Sequence, residues 1–377
     1  MPHRKNFRVY FLFIVLIVCA AIVLLREHRP SFLRPGLHLY AYVSTSDGNI
    51  TVVDLVSLRP IQRIFIGPGI ADLREHSYRD EIWGVNSTSG SVFVIDTYSN
   101  QVVARIPVGP FPYAMDFSPD GRRAYTASAG SDRIVAIDCG ARAIVAKEKT
   151  DSEPVQARVT PDGKFVLVVN RGSSTLGIYD ANSLRHLKSI PVISRPDEVV
   201  VTSDNTTAFV MSRTQNRLSV VDLNRSILVA NLELAGNPST MLLKPDGGEL
   251  YVISPEAHGL QAINTWTHEV GDSMLLGSEP SNAIIDPNAN DMYVADRSAN
   301  HVVPLDFVNR RLGRPINVGA QPGAMRLDPV QPGAASSILL VANEASGDLA
   351  VIRARTYSLL TMIPVGPHPQ RVAVKLF

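Results

Sequence analysis

Residues 116–139 read DFSPDGRRAYTASAGSDRIVAIDC, and a close copy, RVTPDGKFVLVVNRGSSTLGIYDA, begins at Arg158. Both copies contain short β-prone runs separated by turn signals. In the turn Ser118-Pro119-Asp120-Gly121, proline presets φ and glycine supplies a positive φ. Recurrence at a fixed interval of about 42 residues predicts a repeat architecture in which each unit packs against its neighbours.

Seven copies of the unit have an acidic or amide residue at the same repeat position. These residues follow one another at the repeat interval of about 42 residues: Asp54, Asp96, Asp138, Asp180, Asp222, Asn264 and Asp306. An eighth copy ends in Arg353, and its interval is longer because residues 331–336 extend one hairpin. Insertions of this kind are tolerated in surface loops. The chain therefore contains eight units.

Each unit contains four short runs with the pattern of β-strands. In one unit they are Ala114–Phe117, Ala124–Ala127, Arg133–Ile137 and Ala143–Ala146. Four-stranded antiparallel units at a spacing of roughly 40 residues are typical of β-propellers. We predict an all-β propeller over residues 36–377 with eight blades of about 42 residues each, and seven blades as the alternative.

The first unit contains three such runs rather than four. They are Leu39–Val43, Ile50–Val53 and Ile61–Ile66. Near the other end of the chain, Arg371–Val374 has the pattern of a first strand with no further strand after it. We predict that this C-terminal strand completes the first blade and closes the ring, because closure removes exposed sheet edges.

The N-terminal segment predicts a membrane anchor. Residues 9–25 carry no charge, a run near the lower limit of length for a transmembrane helix, and three basic residues precede them. The positive-inside rule predicts a cytoplasmic basic tail at residues 1–8, a transmembrane signal-anchor at 9–25 and a linker at 26–35. The propeller would then lie on the extracytoplasmic side, in a periplasm or at a cell surface.

Two alternatives to an uncleaved anchor remain open. A cleaved signal peptide usually has small residues just past its apolar region, whereas here Ala20 and Ala21 lie in the middle of it. Lipid attachment at Cys19 is the other alternative, and Val18 stands where a small residue would be expected.

Composition narrows the classes of partner. The chain has 36 basic and 35 acidic residues, which gives a net charge of +1, and its basic residues form no stripe along the sequence. Nucleic acid is therefore not an expected partner. The nine histidines are scattered and lack the spacing of metal ligands. We therefore expect no metal and no cofactor.

The recurring unit resembles the YVTN family of β-propeller repeats. The pattern D-x-S-P-D-G-x-x-A-Y carries the resemblance, together with the runs Tyr40–Ser44, Leu167–Asn170 and Leu340–Asn343. The resemblance implies an extracytoplasmic or cell-surface propeller of prokaryotes, in a family mostly without an assigned activity. That family is usually described with seven blades, so eight would be a departure. Related propellers include lactone hydrolases and a haem-carrying cytochrome domain.

Propellers tend to bind ligands at the axial channel, where the first strands of the blades converge. Each unit but one has a proline at the same repeat position, and Ile70 takes its place in the remaining unit. The residue two positions later should line the channel, because the residue after that one is always apolar and should face the core. We call these eight residues the channel ring: Asp72, Ala114, Gln156, Glu198, Thr240, Asn282, Ala324 and Arg371.

The channel ring varies between blades, as a specific site requires. The predicted ligand-binding residues are Asp72, Arg74, Asp116, Gln156, Arg158, Glu198, Asn282 and Arg371, with Asp72/Arg74 and Glu198/Arg371 as anchoring pairs. The alternative is that these polar groups only pair with each other in a water-filled channel. No catalytic residue is predicted.

These observations favour a membrane-anchored, non-catalytic binding or scaffolding module for a protein or polysaccharide of the envelope or surface. The alternative is a propeller enzyme, lactone hydrolase-like or redox, with its site in the axial channel. The sequence leaves open the partner, the oligomeric state and any catalytic activity.

Overall fold

Each repeat forms a four-stranded antiparallel blade in the computed structural model, which describes residues 38–329 and 336–377. The recurring acidic residue ends the third strand of its blade. Asp138 Oδ1 accepts a hydrogen bond from the Ala141 amide at 2.7 Å, and Asp180 Oδ1 accepts one from the Ser183 amide at 2.7 Å. Short polar side chains of this kind satisfy the backbone of a tight turn, which explains why the unit repeats them.

Strands are numbered in chain order. Blade 1 begins with β1 (Leu39–Thr45), β2 (Asn49–Asp54) and β3 (Arg59–Phe65). Blade 2 contains β4 (Ile70–Glu75), β5 (Glu81–Asn86), β6 (Ser91–Asp96) and β7 (Gln101–Pro107). Blade 3 contains β8 (Pro112–Phe117), β9 (Arg123–Ser128), β10 (Arg133–Asp138) and β11 (Ala143–Lys149). Blade 4 contains β12 (Pro154–Val159), β13 (Phe165–Asn170), β14 (Thr175–Asp180) and β15 (His186–Pro191).

The second half of the ring repeats this order. Blade 5 contains β16 (Glu198–Val201), β17 (Thr207–Met211), β18 (Arg217–Asp222) and β19 (Ile227–Glu233). Blade 6 contains β20 (Thr240–Leu243), β21 (Glu249–Ser254), β22 (Gly259–Asn264) and β23 (Val270–Leu275). Blade 7 contains β24 (Pro280–Ile285), β25 (Asp291–Asp296), β26 (His301–Asp306), β27 (Arg311–Leu312) and β28 (Ile316–Asn317). Blade 8 contains β29 (Pro322–Leu327), β30 (Ile338–Asn343), β31 (Asp348–Arg353) and β32 (Ser358–Pro364).

The last strand, β33 (Pro369–Leu376), returns to blade 1 and forms its innermost strand. It pairs antiparallel with β1, from Leu39 opposite Leu376 to Ser44 opposite Arg371. The predicted eight blades and the predicted closure by the C-terminal strand are therefore confirmed. The hairpin that carries the predicted insertion is the one between β29 and β30.

The outer strand of blade 7 is interrupted. Its two pieces, β27 and β28, both pair with β26, and Gly313, Arg314 and Pro315 separate them. Proline has no amide hydrogen to donate to a strand ladder, so Pro315 is compatible with an edge but not with a continuous strand.

Apolar side chains fill the spaces between the blades. Between blades 2 and 3, for example, Trp83 and Val94 pack with Met115 and Val135. The predicted alternation along the first strands is confirmed, because the residue that follows each member of the channel ring is buried: Leu73, Met115, Ala157, Val199, Met241, Ala283, Met325 and Val372.

Helical structure is almost absent from the described residues. The single helix there is a 3₁₀ turn at Ala354–Thr356, and no helix in this part of the chain is long and apolar enough to cross a membrane. The predicted basic tail, signal-anchor and linker at residues 1–35 lie outside the described residues.

Candidate functional site

The first strands of the eight blades, with β33 as that of blade 1, form the wall of the axial channel, and each contacts the next around the ring. Side chains alternate between the two faces of a strand. Because the residue after each member of the channel ring is buried between blades, the ring itself faces the channel.

Five predicted site residues line one cavity of about 330 Å³, which we call the charged cavity. They are Asp72, Arg74, Gln156, Glu198 and Arg371, and the structure adds Arg171, Asp197 and Arg213. Four guanidinium groups and three carboxylates thus surround a small space. The positive charges exceed the negative ones by one when every carboxylate is ionised.

A second cavity of about 660 Å³ adjoins the charged cavity and contains the predicted residue Asn282. We call it the hydroxyl cavity, because Ser87, Ser239, Thr240 and Ser281 also line it. Four residues line both spaces and join them: Ala71, Tyr113, Arg213 and Arg371. The two cavities together form what we call the channel mouth.

The remaining two predicted residues, Asp116 and Arg158, lie elsewhere along the channel. They line a third cavity of about 300 Å³. Arg74 connects them to the charged cavity, since its Nη1 lies 3.3 Å from Asp116 Oδ1 while its Nε lies 2.9 Å from Asp72 Oδ2. The predicted set therefore does not form a single pocket, and the role of its members in ligand binding stays a prediction.

Several predicted residues also hold neighbouring blades together. The innermost strand of a blade has backbone amide groups on its channel side that no further strand can pair with. Polar side chains of the preceding blade accept hydrogen bonds from these amide groups. Asp72 accepts from the Met115 amide at 3.1 Å, and Gln156 accepts from the Val199 amide at 2.8 Å. Asp116 makes the equivalent bond to the Val159 amide at 3.0 Å. Part of the polarity of the channel is thus structural.

The pKa values of the two acidic members of the channel ring, Asp72 and Glu198, are shifted in opposite directions. Burial alone would raise the pKa of Asp72, but the Arg74 guanidinium and the Met115 amide hold that pKa below its ordinary value. Burial raises the pKa of Glu198, and the charge of Arg213 only partly opposes this effect. Of these two carboxyl groups, Glu198 therefore takes up a proton more readily than Asp72.

Glu198 and Arg371 both line the charged cavity, as predicted for an anchoring pair, but they do not form an ion pair with each other. Glu198 Oε2 instead lies 3.5 Å from Arg213 Nη2, on the loop after the neighbouring strand β17 of its own blade. The Arg371 guanidinium donates to two backbone carbonyl groups, those of Ala71 at 2.8 Å and Gln370 at 3.0 Å. Among residues 38–329 and 336–377, no carboxylate lies within 4.0 Å of Arg371.

Sequence reasoning missed the residues that reach the mouth from outside the channel ring. Arg171 pairs with Asp197, and Arg213 donates its backbone amide to the same carboxylate at 2.7 Å. Arg171 and Arg213 follow the ends of two second strands, positions that the channel ring does not index. The sequence does contain a signal for a further ion pair, that of Arg326 with Glu75. Arg326 lies two residues after the ring member Ala324, just as the predicted residue Arg74 lies two residues after Asp72.

The described residues contain no group of three side chains suited to hold a metal ion. Cys139 is buried, and burial raises the pKa of its thiol to about 12, so it is a poor nucleophile. Guanidinium groups beside small hydroxyl side chains bind anions and hydrogen-bonding ligands. The mouth is therefore suited to binding.

Comparisons with known proteins agree with this fold. A family model described as a YNCE-like β-propeller matches residues 103–285, just under half of the chain. A search of curated proteins gave no significant match.

Solved structures resemble the chain at low identity, which shows the fold alone. The dihydro-haem d1 dehydrogenase NirN in complex with DHE has a TM-score of 0.76 and 17% identity, over 92% of this chain and 77% of that one. Apo AztD from Citrobacter koseri has a TM-score of 0.67 and 12% identity, over 90% and 98%. Hydrazine synthase from Kuenenia stuttgartiensis has a TM-score of 0.60 and 20% identity, over 76% and 96%. The chain is therefore an eight-bladed β-propeller, and its residues 103–285 match the YNCE-like β-propeller family model.

Proposed function

We propose that this protein is a non-catalytic binding or scaffolding module that captures an anionic partner, a protein or a polysaccharide of the envelope or surface, at its channel mouth. Residues 9–25 would anchor it in a membrane, with the propeller on the extracytoplasmic side. The unbroken apolar run and the basic residues before it support this placement.

Arg371 is the observation that carries the proposal. Its guanidinium is exposed, is oriented by two backbone carbonyl groups, and has no carboxylate within 4.0 Å among the described residues. A guanidinium has five N–H donors in a fixed fork, and two of them are used here. The remaining N–H donors can form hydrogen bonds to a carboxylate or another planar anion that enters the mouth.

The test compares the full-length protein with Arg371→Gln, and with Arg217→Gln as the matched control. Arg217 pairs with Glu233 on the outer part of blade 5, where the pair is exposed. Each immobilised protein is incubated with solubilised envelope proteins and isolated envelope polysaccharide, and the retained material is quantified. We expect one component to be retained by the wild type and the control but lost with Arg371→Gln. Equal retention by all three would refute the mouth as the site, and no retention would refute the binding module.

The anchor needs its own experiment. Alkaline phosphatase, which is active only outside the cytoplasm, is fused after Phe377 in the full chain and in a chain that lacks residues 9–25. The proposal predicts membrane-bound phosphatase activity for the first fusion and inactive, soluble enzyme for the second. Membrane-free activity of the first fusion would contradict an uncleaved anchor.

An enzyme of the lactone hydrolase-like or redox kind is the second candidate. Glu198 favours it, because a partly buried carboxyl group with a raised pKa suits acid–base chemistry. NirN, which resembles this chain in fold, is described as a dehydrogenase. A visible absorption band in the purified full chain, or lactone hydrolysis that Glu198→Gln abolishes, would support this candidate over the first.

A further inference from the structure

We propose that the channel mouth recognises an acidic saccharide, a sugar unit that carries a carboxylate. This inference rests on the proposed function and names the chemical class of the ligand. It follows from a difference in hydrogen-bonding character between the two adjoining cavities of the mouth.

Arginine side chains supply the recognition of the carboxylate. Arg213 and Arg371 line both cavities, one from blade 5 and the other from blade 1. Arg213 is already engaged, with its Nε donating to the Ser239 carbonyl at 3.2 Å and its Nη2 near Glu198. Arg371 has spare donors, so a ligand carboxylate would bind against it at the border between the two cavities.

Three serine hydroxyl groups of the hydroxyl cavity favour a ligand that donates hydrogen bonds. Ser87 donates its hydroxyl proton to the Pro112 carbonyl at 2.5 Å. Ser239 and Ser281 donate theirs to the carbonyl groups of Ile253 and Ala295, each at 3.3 Å. A hydroxyl has one proton, so each of these oxygens is left only as an acceptor. A simple carboxylate has no proton to offer them, whereas the hydroxyl groups of a sugar do.

An aromatic ring lies between the two regions. Tyr113 lines both cavities and is 41% exposed, so it offers an apolar face on which the C–H side of a sugar ring can pack. The hydroxyl cavity, at about 660 Å³, is within the range of roughly 300–1,000 Å³ that small-ligand sites occupy. One ligand with a carboxylate and a polyhydroxylated body would complement both cavities.

Gly323 provides a steric test that does not involve charge. It lines the hydroxyl cavity, and a Cβ placed there would meet only the Ala342 carbonyl oxygen, at 3.9 Å. Its backbone is outside the left-handed region, so a larger residue causes no backbone strain. Gly323→Leu should therefore fold normally and place an apolar side chain inside the cavity, where it obstructs the ligand.

The experiment is isothermal titration calorimetry of the purified full chain with glucuronate, glucose and succinate. We expect glucuronate to bind at least about tenfold more tightly than the other two, because each of them satisfies only one cavity. Arg371→Gln should weaken glucuronate binding by about tenfold or more, and Gly323→Leu should abolish it, while Arg217→Gln should leave it unchanged. Thermal melts of each variant verify folding.

The outcomes separate the two proposals. Succinate binding as tightly as glucuronate, or glucuronate binding unaffected by Gly323→Leu, would overturn the saccharide inference while leaving capture of an anion intact. Failure of all three probes would also overturn the saccharide inference. The binding module itself would still be judged by the envelope retention experiment.

Discussion

The Glu81 carboxylate of blade 2 accepts a 2.6 Å hydrogen bond from Arg142 of blade 3. Trp83 Nε1 donates to the same carboxylate at 2.9 Å, and Arg79 lies 3.1 Å away. Burial would raise the pKa of Glu81, yet these donors hold it below its ordinary value. The residue is therefore ionised and ties two blades together. It plays no part in the channel mouth.

Glu249 occupies the same repeat position four blades later and provides an internal control. It faces Arg310 of blade 7 at 3.2 Å, but its side chain is 26% exposed whereas that of Glu81 is 5% exposed. Glu81→Ala should lower the free energy of unfolding by about 3–5 kcal/mol, because it leaves buried donors without an acceptor. Glu249→Ala should lower the free energy of unfolding by only about 1 kcal/mol, since water can solvate Arg310 once the carboxylate is removed. Urea denaturation of both variants measures the difference, and equal losses would contradict this account.

The bond between Asp72 and the Met115 amide leads to a prediction about how the blades are joined. Asp72→Asn keeps an acceptor oxygen, as Gln156 shows for the equivalent bond in blade 4, so it should lower stability less than Asp72→Ala. We expect the alanine variant to lose about 1–3 kcal/mol, the usual cost of an unsatisfied buried group. Glu233→Ala, with a side chain 77% exposed, should stay within about 0.5 kcal/mol of the wild type in the same denaturation assay. An alanine variant as stable as the asparagine variant would show that the bond contributes nothing.

Glu198 predicts a pH dependence at the mouth. Its pKa is raised above the ordinary value of 4.5 by burial, with Arg213, Arg158 and Arg74 opposing and Asp197 reinforcing the shift. The folded protein therefore binds a proton more tightly than the unfolded chain does. The contribution of Glu198 to stability is fully present below about pH 4.5 and is lost as the pH rises through the folded pKa.

Affinity for an anion should follow the same direction, because a protonated Glu198 no longer repels the ligand. We expect glucuronate binding to weaken as the pH rises from about 4.5 to 7, and Glu198→Gln to remove that slope. Titration calorimetry across this range measures both proteins. An unchanged slope in the glutamine variant would assign the pH dependence to another group.

The repeat made the architecture predictable, whereas the site was predictable only in part. The fixed repeat interval is sufficient to place the strands, and the pattern at Arg371–Val374 is sufficient to place β33. Strand alternation also oriented Leu73 and its equivalents correctly toward the core. These features depend on backbone periodicity, which the sequence displays directly.

Side-chain partners depend on reach and on loop conformation, which periodicity does not determine. Glu198 pairs with Arg213 because a loop after β17 brings that arginine over the channel. Arg371 turns instead toward the carbonyl of Ala71 on the adjacent strand. Register alone could place Glu198 and Arg371 in one ring, but it could not show which cation each carboxylate would meet.

Closure of the ring by β33 has a consequence for how the protein is made. The eight residues of β33 follow every other strand of the propeller in chain order, so the edge of β1 stays unpaired until β33 has been synthesised. Joining β1 to β33 closes a loop of roughly 340 residues, at an entropic cost of about 5 kcal/mol. A chain without β33 would leave that edge of β1 unpaired, and an unpaired edge is a template for aggregation. Ring closure therefore depends on the last strand of the propeller, since only a chain that includes β33 can form a closed ring.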